Sequence, residues 1–110
     1  MTESAIQKDI LDFLNRQKDC FAFRVNNVGI FDPIKKIYRR PGKFAVRGMA
    51  DVIGCLRGKI FVIEVKTPKG IVSEYQTAFL TKVVRCGGYA AVCRSLSDAE
   101  ALYKRMIDAF

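Results

Sequence analysis

Asp51, Glu64 and Lys66 are charged residues set in otherwise apolar segments, Met49-Ala50-Asp51-Val52 and Val62-Ile63-Glu64-Val65-Lys66. Residues two apart in an extended strand share a face, which puts Glu64 and Lys66 on one side of a sheet in line with Ile60 and Val62. A two-residue hairpin loop at Arg57-Gly58 would pair Leu56 with Lys59, and counting back along both strands sets Asp51 opposite Glu64. Cross-strand neighbours lie about 4.5–5.5 Å apart at Cβ, so two ionised carboxylates there repel unless a proton or a cation lies between them. A hard divalent cation suits the pair, because Mg²⁺ is held by one or two carboxylates with water and substrate phosphate completing its shell. Lys66 adds an ammonium that can stabilise a developing oxyanion or handle the proton of an attacking water. The pattern points to phosphodiester cleavage. The plainer alternative has Asp51 capping a strand end and Glu64 and Lys66 on a solvated face, and a longer loop around Gly58 would shift the register.

Composition narrows the chemistry. The sequence contains no histidine, which removes imidazole bases, Ser-His and Cys-His nucleophiles and the usual zinc hydrolase sites. Any catalysis must run on carboxylates and lysine. The four cysteines, Cys20, Cys55, Cys86 and Cys93, are far apart and form no CxxC, so core packing in a reducing compartment is expected rather than disulfides or zinc. With 110 residues, half of them apolar, residues 1–110 read as one domain with one core. The N-terminus lacks a basic and apolar leader and no apolar run approaches a membrane span, so a soluble, intracellular, cytoplasmic protein without a membrane partner is expected.

A net charge of +8 points to a polyanionic partner. Six basic residues, Lys35, Lys36, Arg39, Arg40, Lys43 and Arg47, fall between Ile34 and Gly48, interleaved with Ile37, Tyr38 and Phe44 around Pro41-Gly42. Such a segment suits a hairpin or loop that grips phosphates, with aromatic groups to stack on bases. A merely solubilising loop or a lipid-surface patch is the alternative.

These groups need a scaffold. Glu3, Ile6, Ile10, Phe13, Leu14 and Gln17 recur at helical spacing and Ser4 with Gln7 has the form of a capping box, so a helix is predicted over about 3–17. A strand follows from Phe21 to Asn26, entering a turn at Asn27-Val28-Gly29, and after the basic segment come strands at about 50–56 and 59–66, ended by Thr67-Pro68-Lys69-Gly70. Ser73 opens a second helix with the stripe Gln76, Phe79, Leu80 and Val83, stopped by Gly87-Gly88. Tyr89–Cys93 reads as a strand buried on both faces, and Ser97 with Glu100 as a capping box for a last helix striped by Ala99, Leu102, Tyr103, Met106, Ile107 and Phe110. The order is αβββαβα. A right-handed βαβ crossover makes the last strand parallel to the Glu64 strand, giving a mixed four-stranded sheet flanked by helices. Gln76 lies where it could reach the site, although Ser73-x-x-Gln76 is itself a capping box, and Glu3 reads equally as a first-turn carboxylate favoured by the helix dipole.

Taken in order, Glu3, Arg24-Val25-Asn26-Asn27, Gly48-Met49-Ala50-Asp51, Ile63-Glu64-Val65-Lys66-Thr67-Pro68-Lys69-Gly70 and Gln76 resemble the VRR-NUC domain of the PD-(D/E)XK nuclease superfamily, over nearly the whole chain. Ala50 stands where the superfamily motif has proline. The resemblance implies a restriction-endonuclease-like α/β core. It also implies that Asp51, Glu64 and the Val65 carbonyl bind Mg²⁺ or Mn²⁺, that Lys66 orients or activates water, and that Gln76 and Glu3 complete the site. Such domains are structure-selective DNA nucleases, found in repair enzymes and as free-standing phage or bacterial proteins. The expectation is therefore a free-standing, metal-dependent endonuclease of branched or Holliday-junction DNA, working as a homodimer whose two sites cut two strands. A non-catalytic nucleic-acid-binding module and a sequence-specific restriction enzyme are the competing classes.

Overall fold

Ile6, Ile10 and Leu14 recur on one stripe and are all buried, making the inner face of helix α1 (Glu3–Asn15) in the computed structural model, which describes residues 1–25, 31–32, 34–35, 37–38 and 46–110. The cap is Thr2, whose hydroxyl oxygen accepts from the Ala5 amide at 3.1 Å. The helix thus starts one residue before Ser4, and the expected Ser4–Gln7 box gives way to the earlier cap. It also stops at Asn15, short of Gln17, whose side-chain amide donates to the Phe13 carbonyl at 2.9 Å. Asn15 docks the helix on the first strand, donating to the Ala22 carbonyl at 3.0 Å and accepting from the Ala22 amide at 2.9 Å.

Strands β1 (Cys20–Arg24), β2 (Phe31–Asp32), β3 (Ile37–Tyr38), β4 (Val52–Leu56) and β5 (Lys59–Val65) follow, then α2 (Glu74–Arg85), β6 (Tyr89–Cys93) and α3 (Leu96–Asp108). The main sheet has the order β1-β4-β5-β6, antiparallel except for the parallel pair β5 and β6. This is the expected mixed four-stranded sheet, consistent with a restriction-endonuclease-like core. The order αβββαβα gains one feature, a separate antiparallel pair of two-residue strands, β2 and β3, between β1 and β4. The predicted turn at 27–29 lies outside the described residues, as do Lys36, Arg39, Arg40 and Lys43 of the basic segment.

Arg57 and Gly58 have φ of 50° and 86°, the left-handed pair of a two-residue turn whose twist matches its strands. That turn pairs Leu56 with Lys59 and Val52 with Ile63. One face of the sheet packs Ala22, Val52, Leu56, Phe61, Ile63, Val65 and Cys93 against α1 and α3, which contributes Ala99, Leu102 and Met106. Gly54 faces Phe61 across the hairpin, and the Phe61 ring occupies the space that a side chain on Gly54 would need. A Phe13–Tyr103 edge contact, 5.7 Å between centroids, joins the two helices.

The other face carries α2 over β5 and β6. Its Ser73–Gln76 capping box is formed in both directions, and Gly87, at φ 94°, follows its end. β6 is an edge strand and only Cys93 in it is buried, so the expectation of burial on both faces fails with its place in the sheet. α3 begins at Leu96 after Ser95, too early for the Ser97–Glu100 box, and Asp98 instead accepts from the Arg94 amide at 2.8 Å.

The cysteines are all free, but only Cys93 lies in the core with Cys20 beside it. Cys55 and Cys86 are exposed, contrary to the core role expected of them, because one faces away from α1 and α3 and the other ends α2. Among the described residues no helix is long and apolar enough to cross a membrane.

Candidate active site

The hairpin register sets Asp51, just ahead of β4, level with Glu64 on β5. Asp51 is held at both ends: its carbonyl accepts from the Val25 amide at 2.7 Å, and its Oδ2 accepts from the Val65 amide at 2.9 Å. The carboxylate therefore lies against the backbone at the end of the strand that carries Glu64. The alternative of Asp51 as a strand-end cap is satisfied by the same bond, so capping and proximity to Glu64 are compatible.

Glu64 is 2% exposed, the one buried charged residue among those described. Its Oε1 accepts from Gln76 Nε2 at 2.9 Å and lies 3.8 Å from Lys66 Nζ, an ion-pair contact too long for a hydrogen bond. Its Oε2 has no hydrogen-bond partner among the described residues. Burial, first, and the Asp51 carboxylate, second, push the Glu64 carboxyl up to about 8; the Lys66 ammonium opposes them and the Glu3 carboxylate adds slightly. An ionised carboxylate in this position is therefore under electrostatic pressure that a cation would relieve.

Gln76 resolves the two readings that its position allowed. Its Oε1 accepts from the Ser73 amide at 2.9 Å while its Nε2 donates to Glu64, so the two ends of one amide serve the helix cap and the site together. The turn before Asp51 is fitted to the same helix: Gly48, at φ 79°, lies so close to Tyr75 and Gln76 that an added Cβ would come within 2.7 Å of the Gln76 backbone nitrogen. Arg47 stacks on the Tyr75 ring, 4.0 Å to its centroid, and donates to the Tyr75 hydroxyl at 3.2 Å.

Asp51, Glu64, Lys66 and Gln76 thus meet at one end of the sheet, with Glu3 exposed at the start of α1 and felt by Glu64 through its charge. Among the described residues no three His, Cys, Asp or Glu side chains are close enough to hold one ion. The Asp51 and Glu64 carboxylates bring together hard oxygen donors, which suit a hard cation that keeps water in its shell. Of the basic segment, Lys35 and Arg47 are described and both are exposed. Tyr75 and Arg94, whose guanidinium donates to the carbonyls of the turn after Lys66, were not picked out in the sequence. Only Arg94 had a partial signal: the βαβ crossover makes the last strand parallel to the Glu64 strand, but the register that puts Arg94 beside Lys66 comes from the structure.

A comparison with curated proteins finds no match. The model of the VRR-NUC domain matches residues 1–97, from the first helix through the last strand and into α3. A match over that span, on a chain with this sheet and this pair of carboxylates, implies a nuclease with DNA as its substrate. The chain belongs to the VRR-NUC domain family of the PD-(D/E)XK nuclease superfamily.

Proposed function

We propose that this chain is a divalent-cation-dependent endodeoxyribonuclease that hydrolyses DNA phosphodiesters by in-line attack of water, preferring branched or Holliday-junction DNA. One observation carries the reading: a buried Glu64 carboxylate beside Asp51, with one oxygen engaged by Gln76 and the other without a hydrogen-bond partner among the described residues. Asp51, Glu64 and the Val65 carbonyl would hold Mg²⁺ or Mn²⁺. The cation, when bound, supplies charge against the phosphoryl oxygens and acidity to a water. Lys66 orients the attacking water through its ammonium or, as the free amine, takes its proton, Gln76 keeps the Glu64 carboxylate aimed, and Glu3 adds negative charge at the margin.

The basic residues Lys35, Lys36, Arg39, Arg40, Lys43 and Arg47 would grip the phosphate backbone. Affinity would then fall with salt, by a log-log slope of about 0.9 per neutralised phosphate. A homodimer acting inside a bacterial or phage-infected cell would present two sites at a fixed separation, as two-strand cleavage of a branch requires.

A gel assay with plasmid, linear duplex, flap and four-way junction, each with Mg²⁺, Mn²⁺ or chelator, tests the reading. Cation-dependent cutting that is strongest on the branched substrates is expected. Discrete cuts on linear duplex would favour a restriction-type enzyme, and salt-sensitive binding without cleavage under any cation would reject catalysis. Mass measurement in solution tests the dimer.

A further inference from the structure

The geometry points to Arg94 as a positioning residue that sets the aim of Lys66 through the turn at 67–70; this rests on the reading of Lys66 as the group that handles water. β6 runs parallel to β5 with Val65 level with Cys93, and the Lys66 amide donates to the Cys93 carbonyl at 3.1 Å, so Lys66 and Arg94 leave the sheet side by side. Arg94 does not spend its guanidinium on a carboxylate among the described residues. Its Nη1 donates to the carbonyls of Gly70 at 2.7 Å, Thr67 at 2.8 Å and, more weakly, Pro68 at 3.3 Å.

Those three carbonyls curl around one cationic nitrogen, in a turn closed by the Gly70 amide donating to the Thr67 carbonyl at 3.0 Å. Hydrogen bonds from a charged donor are stronger than neutral ones. Arg94 is half-buried, where water competes less for the same carbonyls. The turn in turn touches the lysine. A Cβ added to Gly70 would sit 3.3 Å from both Cβ and Cδ of Lys66, so the glycine backbone rests on the aliphatic stem. With that wall on one side, the Lys66 side chain is 15% exposed and its Nζ lies 3.8 Å from Glu64 Oε1. A lysine stem has four rotatable bonds, and a wall along it removes rotamers that would carry the ammonium into solvent.

The experiment uses Arg94→Ala, Arg94→Lys and Gly70→Ala in the full chain. In metal-free, DNA-free protein, acetylation of Lys66 by acetic anhydride, followed by mass spectrometry, should run several-fold faster in Arg94→Ala than in wild type. On junction DNA with Mn²⁺, kcat should fall on the order of 10–100-fold with KM nearly unchanged, since misplacing a reacting group by about 1 Å costs that much. Arg94→Lys should recover part of the rate, because an ammonium can serve one or two of the carbonyls. Gly70→Ala leaves Arg94 in place, requires no left-handed backbone, and should lower kcat by pressing on the stem. In a Lys66→Ala background the Arg94→Ala change should add no further loss.

Unchanged acetylation of Lys66, or a raised KM with kcat intact, would overturn the assignment, the latter by making Arg94 a DNA contact. If Lys66→Ala itself cleaves at the wild-type rate, it is the catalytic reading of Lys66 that fails, while the acetylation result still reports on the strut.

Discussion

Alternate residues of β5 occupy two different environments. Phe61, Ile63 and Val65, at most 1% exposed, face α1 and α3 in a core of aliphatic and aromatic groups. Val62 and Glu64, with Lys66 just past the strand's end, point to the face that carries α2, where Glu64 is just as buried, at 2%, but bears an ionisable carboxyl. The first face is satisfied by removal of apolar surface alone, worth about 25 cal/mol per Å². The second holds a carboxyl group in a place that resists its ionisation. A strand only seven residues long thus divides by the pleat: Phe61, Ile63 and Val65 stabilise the fold, while the face with Glu64 carries the candidate site, at some cost to stability.

Substitutions at adjacent residues should separate the two faces. Glu64→Gln should lower cleavage by at least about 10²–10³-fold, the loss typical of removing a group that organises charge in the transition state. Its melting temperature without metal should not fall, because the amide keeps the bond to Gln76 and sheds the charge. A cleavage rate near wild type would break the comparison. Ile63→Ala, on the opposite face and fully buried, should cost about 2–5 kcal/mol in chemical denaturation. A cost below that of an ordinary surface substitution would mean that the core face is not what holds the sheet.

Metal should sharpen the contrast. Mn²⁺ at about 100 times its dissociation constant should stabilise the wild type by about 2.7 kcal/mol, and Asp51→Asn or Glu64→Gln should abolish the shift. Persistence of the full shift in both variants would place the cation elsewhere.

The pH dependence follows from the same carboxyl. Burial and the Asp51 carboxylate raise Glu64 to about 8, above its unfolded value, so the folded state favours the protonated form. The stability contributed by that proton is complete below the unfolded carboxyl range, near pH 4.3, and is lost as pH rises through about 8. In chelator, the melting temperature of the wild type should therefore fall relative to Glu64→Gln between pH 5 and pH 9. A constant difference across that window would show that Glu64 does not titrate there. The smallest effect is expected from Ser73→Ala, about 1 kcal/mol of stability for the lost cap. It should bring a modest drop in rate as Gln76 loosens, measurable by parallel melting and cleavage assays.

Much of this arrangement was legible because it depends on local periodicity. Alternation along 59–65 and a two-residue turn at Arg57-Gly58 suffice to bring Asp51 level with Glu64, since register propagates along a hairpin without tertiary information. The helix stripes were readable too, except at their ends: Phe110, counted in the last stripe, lies past α3 and is exposed, and Gln17 lies past α1. Two of the three expected capping boxes were not readable, because Thr2 and Ser95 compete with Ser4 and Ser97 for the same role, and the choice depends on where packing lets each helix begin.

By itself, then, the order of residues determined the hairpin register, the apolar stripes and the absence of imidazole chemistry, all of which follow from side-chain type and short-range spacing. Tertiary structure decided what spacing could not. It set β6 at the sheet edge with Arg94 beside Lys66, and it brought α2 over Glu64 so that a single amide joins cap and carboxylate. It also left one oxygen of that carboxylate buried without a hydrogen-bond partner among the described residues. These depend on distances between segments remote in sequence, which are fixed only when the core closes.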